Sequence, residues 1–447
     1  MSIFKSCDIR GVYGTELDEE TAYRLGRAVG GRMKGQKVIV AGDLRLSTPP
    51  LKAALTDGLY VSGAQIIDLG VIPTPAFYFG KRELEALGGV MVTASHNPPE
   101  YNGFKIMLGD LPIEPGDLQA LAQEMERGEF VDQRGEYHQE QILEEYVEHL
   151  VRAFPDLKTH HVVVDAGNGS MGPVAPRVLR RAGQKVTELY CEPDGSFPHR
   201  DPNPAVPEHL RDLSQKMAGT EAELGIAYDG DGDRVIFVDE SGEIQPAERV
   251  LVLFIRHLLR RHPGATVVYD LKSSSVVEEE TRAAGGRPLM EKSGHAFIKR
   301  RLIEERALLG GEVSGHYFFA QMRGDDALYA TLLLLKVLDS WAVSLRQSLD
   351  SVPIYPITPD IRLPCPQEKA RRIIEELKIA FSDYPISTLD GVRIQFHQGW
   401  GLARVSVTEP VVTLRFEAQS EEELATIQRC VRQASPLLTE VMQRAGR

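Results

Sequence analysis

The sequence predicts an α/β protein with three similar α/β domains, each holding a mixed or parallel sheet, followed by a C-terminal α+β domain. Strand-like runs recur in front of amphipathic helices and are followed by a further strand, which is the order of a βαβ unit. Beyond a proline-rich segment, the order changes to helix, three strands and helix. The last domain therefore belongs to a different class from the first three.

Each of the three βαβ units has a strand, a helix and a second strand. The first reads "KVIVAGD", "PPLKAALTDGLYVSGA" and "AQIIDLG"; the second reads "HHVVVDAGNGS", "PVAPRVLRRAG" and "QKVTELY"; the third reads "ATVVYD", "SSSVVEEETRAAG" and "RPLME". In the first unit's middle segment, apolar residues recur at helical spacing. Because a crossover helix joins parallel strands, we expect parallel pairing within each unit.

Changes in composition and a cluster of prolines predict the domain boundaries. The charged segment 137–154 is predicted to be a helix that separates the first unit from the second, and a hydrophobic helix near 249–261 opens the third. Four prolines within 345–364 are predicted to interrupt regular structure before the last domain. The sequence therefore predicts domains at 1–153, 154–246, 247–354 and 355–447.

Composition also limits the class of function. The formal net charge is −13, which repels nucleic acid and anionic lipid, so we expect neither as a partner. No apolar run approaches the roughly 18 residues of a membrane span, and the N-terminus shows no secretory signal. Cys7, Cys191, Cys365 and Cys430 are scattered without the spacing of a zinc site. These features favour a cytoplasmic protein.

The segment "YDGDGDR" at 228–234 predicts a metal site. Asp229, Asp231 and Asp233 alternate with glycines that let the backbone fold tightly, so the three carboxylates can converge. Oxygen ligands of this kind suit a hard cation such as Mg²⁺. A calcium EF-hand loop is excluded because its sixth position is Arg234, where the turn needs glycine, and because the flanking segments are strand-like.

A second candidate lies at 90–106, "VMVTASHNPPEYNGFKI", where an apolar strand breaks at Ser95. Taken alone, Ser95 is as consistent with a structural role, as a turn former or a helix cap, as it is with a functional one. The surrounding residues do not form the G-x-S-x-G elbow of a hydrolase nucleophile. Adjacency does not make His96 its base, because neighbouring side chains usually diverge.

Four motifs together resemble the α-D-phosphohexomutases. "TASHNPPEYNGFK" is similar to the active-site serine loop of that family, and "DGDGDR" to its metal loop. "GGEVSGH" at 310–316 is similar to the sugar-recognition loop, and "RVSVTEP" at 404–410 to the C-terminal phosphate-binding loop. The motifs occur in the family's order, one in each domain. The resemblance implies four domains arranged around a central active-site cleft.

The resemblance also implies roles for single residues. Ser95 would carry a phosphoryl group and, with Asp229, Asp231 and Asp233, would hold Mg²⁺. Positive charge around the phosphoserine would come from Arg10, Lys105 and Arg234. Residues near the sugar would be Lys272 and His295, which could assist proton transfer or orientation. The sugar and the distal phosphate would be bound by Glu312, Ser314, His316, Arg404, Ser406 and Thr408.

The implied reaction interconverts hexose 1-phosphate and 6-phosphate through a 1,6-bisphosphate that turns over in the site. Glucose 1,6-bisphosphate, or its mannose counterpart, would serve as activator and intermediate. Val313 and the C-terminal tail favour mannose and glucose phosphates, because phosphoglucosamine mutases usually have Gln at this position. Alternatives are a phosphoglucosamine mutase, a sugar-phosphate phosphatase and a non-catalytic sugar-phosphate sensor. We expect a monomer or weak dimer.

Two residues depart from the family's pattern. Val407 stands in the terminal loop where a small or amide residue is common, and Cys7 stands where bacterial members often have Tyr. Either change could alter substrate affinity or preference. Neither departure alters Ser95 or the three aspartates, which match the family's pattern.

Overall fold

A computed structural model of the chain describes residues 3–406 and 410–445. Four sheets follow one another along the sequence, the first with six strands and each of the others with five. Within the described residues, no helix is both long and apolar enough to cross a bilayer. The four-sheet architecture confirms the predicted fold class.

The first domain has a mixed sheet in the order β1-β5-β4-β2-β3-β6. Its elements are β1 Ile9–Val12, α1 Glu19–Arg32, β2 Lys37–Gly42, α2 Thr48–Tyr60, β3 Gln65–Val71, α3 Thr74–Glu83, β4 Gly88–Val92, β5 Tyr101–Leu108, α4 Pro115–Arg127 and β6 Glu136–Gln139. Strand β2 pairs in parallel with β3 and β4, whereas β5 is antiparallel to β1 and β4. Helix α5, Leu143–Ala153, then packs against α3 and against α6 of the second domain.

The second domain repeats the mixed pattern in the order β11-β10-β9-β7-β8. Its elements are β7 His161–Asp165, α6 Ala175–Arg181, β8 Lys185–Leu189, α7 Arg211–Ala218, β9 Leu224–Tyr228, β10 Val235–Val238 and β11 Ile244–Gln245, with a 3₁₀ turn at Pro207–Leu210. Strands β7, β8 and β9 are parallel, and β10 returns antiparallel beside β9.

The third domain has the order β13-β12-β14-β15-β16. Its elements are α8 Ala247–Leu259, β12 Thr266–Asp270, α9 Ser275–Ala283, β13 Arg287–Glu291, α10 His295–Glu304, β14 Leu309–Gly311, β15 Tyr317–Phe319, β16 Gly324–Asp325, α11 Ala327–Trp341 and α12 Leu345–Leu349. Strand β12 is parallel to β13 and β14, and β15 and β16 are added antiparallel.

The C-terminal domain differs, as predicted, because all pairs in its sheet β17-β21-β20-β19-β18 are antiparallel. Its elements are β17 Ile361–Pro364, α13 Gln367–Ala380, β18 Ile386–Ser387, β19 Val392–Phe396, β20 Gly399–Val405, β21 Val411–Ala418, α14 Glu421–Ala434 and α15 Pro436–Arg444.

Two sequence expectations are wrong in part. The segment 137–154 begins as the exposed edge strand β6, which pairs with β3, and only its later part is helix α5. The proline-rich segment 345–364 contains α12 at its start and β17 at its end. Proline is tolerated in β17 because this strand lies at a sheet edge. Strands β6 and β17 each form by pairing with a distant strand, β3 and β21 respectively. Local propensity carries no information about such a partner.

The sheet topology determines where the candidate functional loops lie. The candidate loops leave the carboxyl ends of β4, β9, β12 and β14, which are inner strands of the first three sheets. Ligand sites of open α/β sheets lie outside such strand ends.

The third and C-terminal domains share a small apolar and polar interface. Leu271 packs with the buried Trp400 and Leu402. The buried carboxylate of Glu417 accepts hydrogen bonds from Trp400 Nε1 at 2.8 Å and from the Ser275 backbone N–H at 2.9 Å. Because Ser275 begins α9, this carboxylate also lies where the helix dipole favours negative charge. These contacts hold the C-terminal domain beside the third.

A buried carboxyl near this interface predicts a pH effect on stability. Burial raises the pKa of Glu248 from 4.5 to about 7, with the charges of Glu417 and Asp270 adding and that of Arg415 opposing. Between these two values the unfolded chain has lost the proton and the folded chain keeps it. The free energy of unfolding should therefore fall as pH rises through this window.

We expect Glu248→Gln to lose less stability than the wild type between about pH 5 and about pH 8, measured by urea unfolding. The exposed Glu208→Gln serves as the matched control. Equal losses in Glu248→Gln and wild type would contradict the assignment.

Candidate active site

Ser95 lies in a constrained loop just beyond β4. Its backbone φ is 51°, a left-handed conformation that costs a non-glycine residue about 1–3 kcal/mol and often occurs at functional sites. The Ser95 backbone N–H donates to Thr93 Oγ1 at 2.8 Å, and its hydroxyl donates to Asp229 Oδ2 at 2.7 Å. The serine hydroxyl is thereby directed into the metal loop of the second domain.

Arg45, which was not among the predicted site residues, fixes the conformation of this loop. Its buried guanidinium donates to the backbone oxygens of Ser95 at 2.8 Å, Asn97 at 2.6 Å, Pro98 at 2.6 Å and Tyr101 at 3.0 Å. The surrounding carbonyls thus satisfy an otherwise costly buried charge. In the sequence, the only feature that could have indicated this role is the position of Arg45 shortly after the end of strand β2.

Asn102 and Gly103 of the same segment are structural. The amide of Asn102 donates to Ser47 Oγ at 2.9 Å and to Thr48 Oγ1 at 3.0 Å. A side chain at Gly103 would place Cβ 2.0 Å from the backbone oxygen of Ile9. Glycine therefore permits β5 to pair closely with β1 in front of the site.

Asp229, Asp231 and Asp233 converge as predicted. All three are completely buried, and one carboxylate oxygen from each lies within 4.8 Å of the others. The turn is closed by Gly232, at φ 79°, whose N–H donates to Asp229 Oδ1 at 2.9 Å. Thr74 of α3 fixes the loop from the first domain by donating its hydroxyl to Asp231 Oδ2 at 2.7 Å.

The acidic cluster fits a cation. Within the described residues, Asp231 Oδ1 is buried without a hydrogen-bond partner, and Asp233 Oδ1 lies 3.2 Å from His316 Nε2. Burial, reinforced by the charges of Asp231 and Asp233, raises the pKa of Asp229 to about 8. Buried carboxylates that repel one another are stabilised by a divalent ion, and an all-oxygen set suits Mg²⁺ or a similar hard cation.

Lys105 partly balances the same charges. Its ammonium donates to Asp231 Oδ2 at 2.8 Å and also contacts Asp233 Oδ2. Burial opposes ionisation of Asp233, but Lys105 and then His316 hold its pKa well below the usual range. The lysine therefore lies among the metal-loop carboxylates.

Two arginines add positive charge near the serine. Arg234 Nε lies 3.9 Å from Asp229 Oδ2 and 3.4 Å from His316 Nε2. Arg10 is buried and pairs with Asp8 at 3.0 Å, while its Nη1 has no hydrogen-bond partner among the described residues. An unsatisfied guanidinium nitrogen beside this cluster suits an incoming phosphate oxygen.

The turn between β14 and β15 brings the third domain against the metal loop. His316 Nε2 lies 3.2 Å from Asp233 Oδ1, and its Nδ1 lies 2.9 Å from Ser314 Oγ. Glu312 Oε2 lies 3.6 Å from His316 Nδ1. A backbone hydrogen bond of 3.0 Å from Val235 to Gly315 joins the two loops directly.

His295 lies at the start of α10, with its ring centroid 5.8 Å from that of His316. Neither of its ring nitrogens has a hydrogen-bond partner within the described part of the chain. Burial, followed by the charge of Lys105, holds its pKa well below 6.5. A neutral imidazole with two free nitrogens is suited to contact a polar ligand.

Lys272 and Arg404 are placed apart from this cluster. Lys272 Nζ donates to Asp360 Oδ2 at 2.6 Å, and Arg404 pairs with Asp390 at 2.9 Å. Ser406 follows the end of β20, and its N–H donates to the backbone oxygen of Val411 at 3.1 Å. Thr408 and Val407 lie outside the described residues.

The structure thus brings Ser95, the metal loop, Lys105, Arg234 and the 310–316 turn into one contact network across three domains. Arg404 instead pairs with Asp390 of its own domain, and Lys272 of the third domain pairs with Asp360 of the C-terminal domain. The sequence analysis missed the supporting residues Arg45, Thr74 and Thr93. Thr93 had a weak signal, since it stands two residues before Ser95, and Thr74 had none.

Comparison with known proteins places the chain in a family. Four phosphoglucomutase/phosphomannomutase family models match in order: alpha/beta/alpha domain I at residues 1–132, domain II at 144–242, domain III at 246–355 and the C-terminal domain at 361–434.

Relatives of similar length support the match. A phosphomannomutase/phosphoglucomutase from Pseudomonas aeruginosa is 41% identical over 95% of this chain and 94% of its own. A phosphoglucomutase from Neisseria gonorrhoeae is 39% identical, with 95% of each chain covered. The crystal structure of a family protein from Burkholderia thailandensis superposes with a TM-score of 0.91 at 39% identity, covering 97% of this chain and 98% of its own. The chain therefore belongs to the phosphoglucomutase/phosphomannomutase family, which confirms the α-D-phosphohexomutase resemblance of its motifs.

Proposed function

We propose that the protein is a phosphohexomutase that interconverts the 1-phosphates and 6-phosphates of mannose and glucose through phosphorylated Ser95. The contact that carries this proposal is the hydrogen bond of 2.7 Å from Ser95 Oγ to Asp229 Oδ2. It directs a strained, buried serine into a cluster of three carboxylates whose oxygens lie within 4.8 Å of one another. Family membership supplies the class of reaction.

Asp229, Asp231 and Asp233 would hold the divalent cation, for which we propose Mg²⁺, with Ser95 as a further ligand. The ion would supply charge neutralisation for a phosphoryl group on Ser95, which is a large part of phosphoryl-transfer catalysis. Lys105, Arg10 and Arg234 extend the positive charge around that oxygen. The −13 net charge of the chain makes this local concentration necessary.

His316 and His295 would contact the sugar beside the phosphoserine, since His316 lies against Asp233 of the metal loop and the His295 ring lies 5.8 Å from it. His316 is oriented by Ser314 at Nδ1 and by Asp233 at Nε2. His295 has two ring nitrogens without a hydrogen-bond partner among the described residues, so its imidazole would accept or donate a proton as the hydroxyl attacks or leaves. Glu312 and Ser314 would bind the sugar hydroxyls.

The distal phosphate would be bound by Arg404, Ser406 and Thr408, with Lys272 close to the sugar. Because Asp390 and Asp360 now pair with Arg404 and Lys272, an incoming dianion would replace these carboxylates. The bisphosphate intermediate, glucose 1,6-bisphosphate or its mannose counterpart, would present either phosphate to this end of the cleft.

Glucosamine phosphate is the alternative substrate, and a phosphatase or a sensor is an alternative activity. A coupled assay that follows 6-phosphate and free phosphate from mannose, glucose and glucosamine 1-phosphates separates them. We expect isomerisation of the first two substrates without net release of phosphate. Phosphate release in step with substrate loss would favour a phosphatase.

Ser95→Ala should reduce mutase turnover by more than about 10³-fold, because the phosphoryl carrier is removed. The measurement is the isomerisation rate with Mg²⁺ and a trace of glucose 1,6-bisphosphate. Ser382→Ala, at an exposed position, should leave the rate unchanged. Substantial turnover in Ser95→Ala would disprove the proposed carrier.

Removing the metal should abolish turnover, and Mg²⁺ should restore it. Asp231→Asn should weaken Mg²⁺ binding at least about tenfold, since one of the three anionic ligands becomes neutral. Calorimetric titration of Mg²⁺ measures this without substrate. The matched variant Asp201→Asn, at an exposed aspartate, should bind Mg²⁺ as the wild type does; a similar loss in both would count against the cluster.

A further inference from the structure

A cavity lies between the first and third domains, and none of its lining residues belongs to the proposed catalytic site. Its volume is about 470 Å³. We call it the seam cavity. Four cationic residues and two carboxylates contribute to its lining, and they are Lys81, Arg82, Lys299, Arg323, Glu85 and Asp110. This is a local excess of positive charge on a chain whose net charge is −13.

The cations at the cavity mouth are incompletely paired. Lys81 Nζ lies 3.7 Å from Asp110 Oδ1, and Arg323 Nη2 lies 3.7 Å from Asp110 Oδ2. Both separations exceed hydrogen-bond length, and the two cations share one carboxylate that is 72% exposed. An exposed, shared pair of this kind contributes little, so an incoming anion would face weak competition.

Lys299 provides the deeper charge. The residue is 2% exposed, and its Nζ has no hydrogen-bond partner among the described residues. It lies 3.7 Å from Asp325 Oδ1 and 2.9 Å from the centre of the Tyr78 ring. Burial lowers its pKa to about 8. A buried ammonium without a direct partner would be stabilised by an anion in the cavity.

We propose that the seam cavity binds a small multivalent anion, a phosphate ester or a polycarboxylate, between Lys299 at its base and Lys81 and Arg323 at its mouth. Because the three cations lie at different depths in the cavity, they can pair with a ligand that carries more than one negative charge. The volume accommodates a small metabolite and excludes a folded partner.

The cavity is coupled to the catalytic site through two helices. Helix α3 carries Tyr78 and Lys81, and it begins at Thr74, which fixes Asp231 of the metal loop. Helix α10 carries Lys299 and begins at His295. An anion that binds Lys81 and Lys299 together would fix these two helices relative to each other, and with them Thr74 and His295.

Calorimetric titration of the full chain with inorganic phosphate, and separately with citrate, tests the proposal. The cavity variant Lys81→Ala/Arg323→Ala should lose one bound anion, or bind it about tenfold more weakly, since charge-assisted contacts are removed. Arg323→Glu alone should act in the same direction at a half-exposed position. The control Arg152→Ala, at a side chain that is 75% exposed, should match the wild type. Binding of phosphate alone identifies a phosphate ester, and binding of citrate alone identifies a polycarboxylate.

The catalytic-site variant Arg404→Ala separates this proposal from the mutase proposal. In the same titrations, Arg404→Ala should still bind the anion whose binding is lost or weakened in the cavity variant. Hydrogen exchange in α3 and α10 should slow on anion addition in the wild type and in Arg404→Ala, but not in the cavity variant. Equal binding in the wild type and the cavity variant, or binding that depends only on Arg404, would overturn the seam-cavity assignment and leave the mutase proposal untouched.

Discussion

The structure depends on the burial of three carboxylates at one point. Asp229, Asp231 and Asp233 are removed from water completely, and such a cluster is strongly unfavourable unless positive charge compensates it. Part of that charge comes from Lys105 of the first domain. His316 of the third domain approaches from the other side. Side chains of three domains therefore meet at this cluster and share in its charge balance.

The same requirement explains why the loops are held so firmly. Arg45 fixes the serine loop through four backbone oxygens, and Thr74 fixes the metal loop from the neighbouring domain. Backbone strain at Ser95 is maintained by these surrounding bonds. The serine loop and the three aspartates are therefore held in a fixed arrangement before any ligand binds.

The C-terminal domain is attached differently. Its contacts with the third domain centre on Trp400 and on Glu417, whose carboxylate lies at the start of α9. Its cation Arg404 pairs with a carboxylate of the same domain rather than with the metal loop. Residues of the first three domains thus meet at the buried carboxylates, whereas Arg404 of the fourth domain lies in an ion pair within its own domain.

The candidate site was predictable from the spacing and the chemistry of a few side chains. The alternating aspartates are local in sequence, so their convergence could be predicted from the loop alone, whereas Ser95 by itself was ambiguous until the other motifs were set beside it. Strands β6 and β17 were not predicted, because an edge strand is defined by the neighbour it pairs with. Each residue of β6 pairs with a residue of β3 that lies 71 positions earlier, as Glu136 does with Gln65. The sequence analysis also missed Arg45 and Lys299, whose partners come from distant segments.

The sequence by itself determined the class of each domain, the metal-loop carboxylates, the candidate phosphoryl carrier and, through its motifs, the family. These features are encoded in short segments, where periodicity and residue spacing are sufficient. Only the tertiary structure decided that Ser95 Oγ meets Asp229, that Lys105 lies among the carboxylates, and that a cation-lined cavity opens between α3 and α10. Each of these joins side chains from different domains, and their separation in space is set by packing and by charge balance rather than by neighbouring residues.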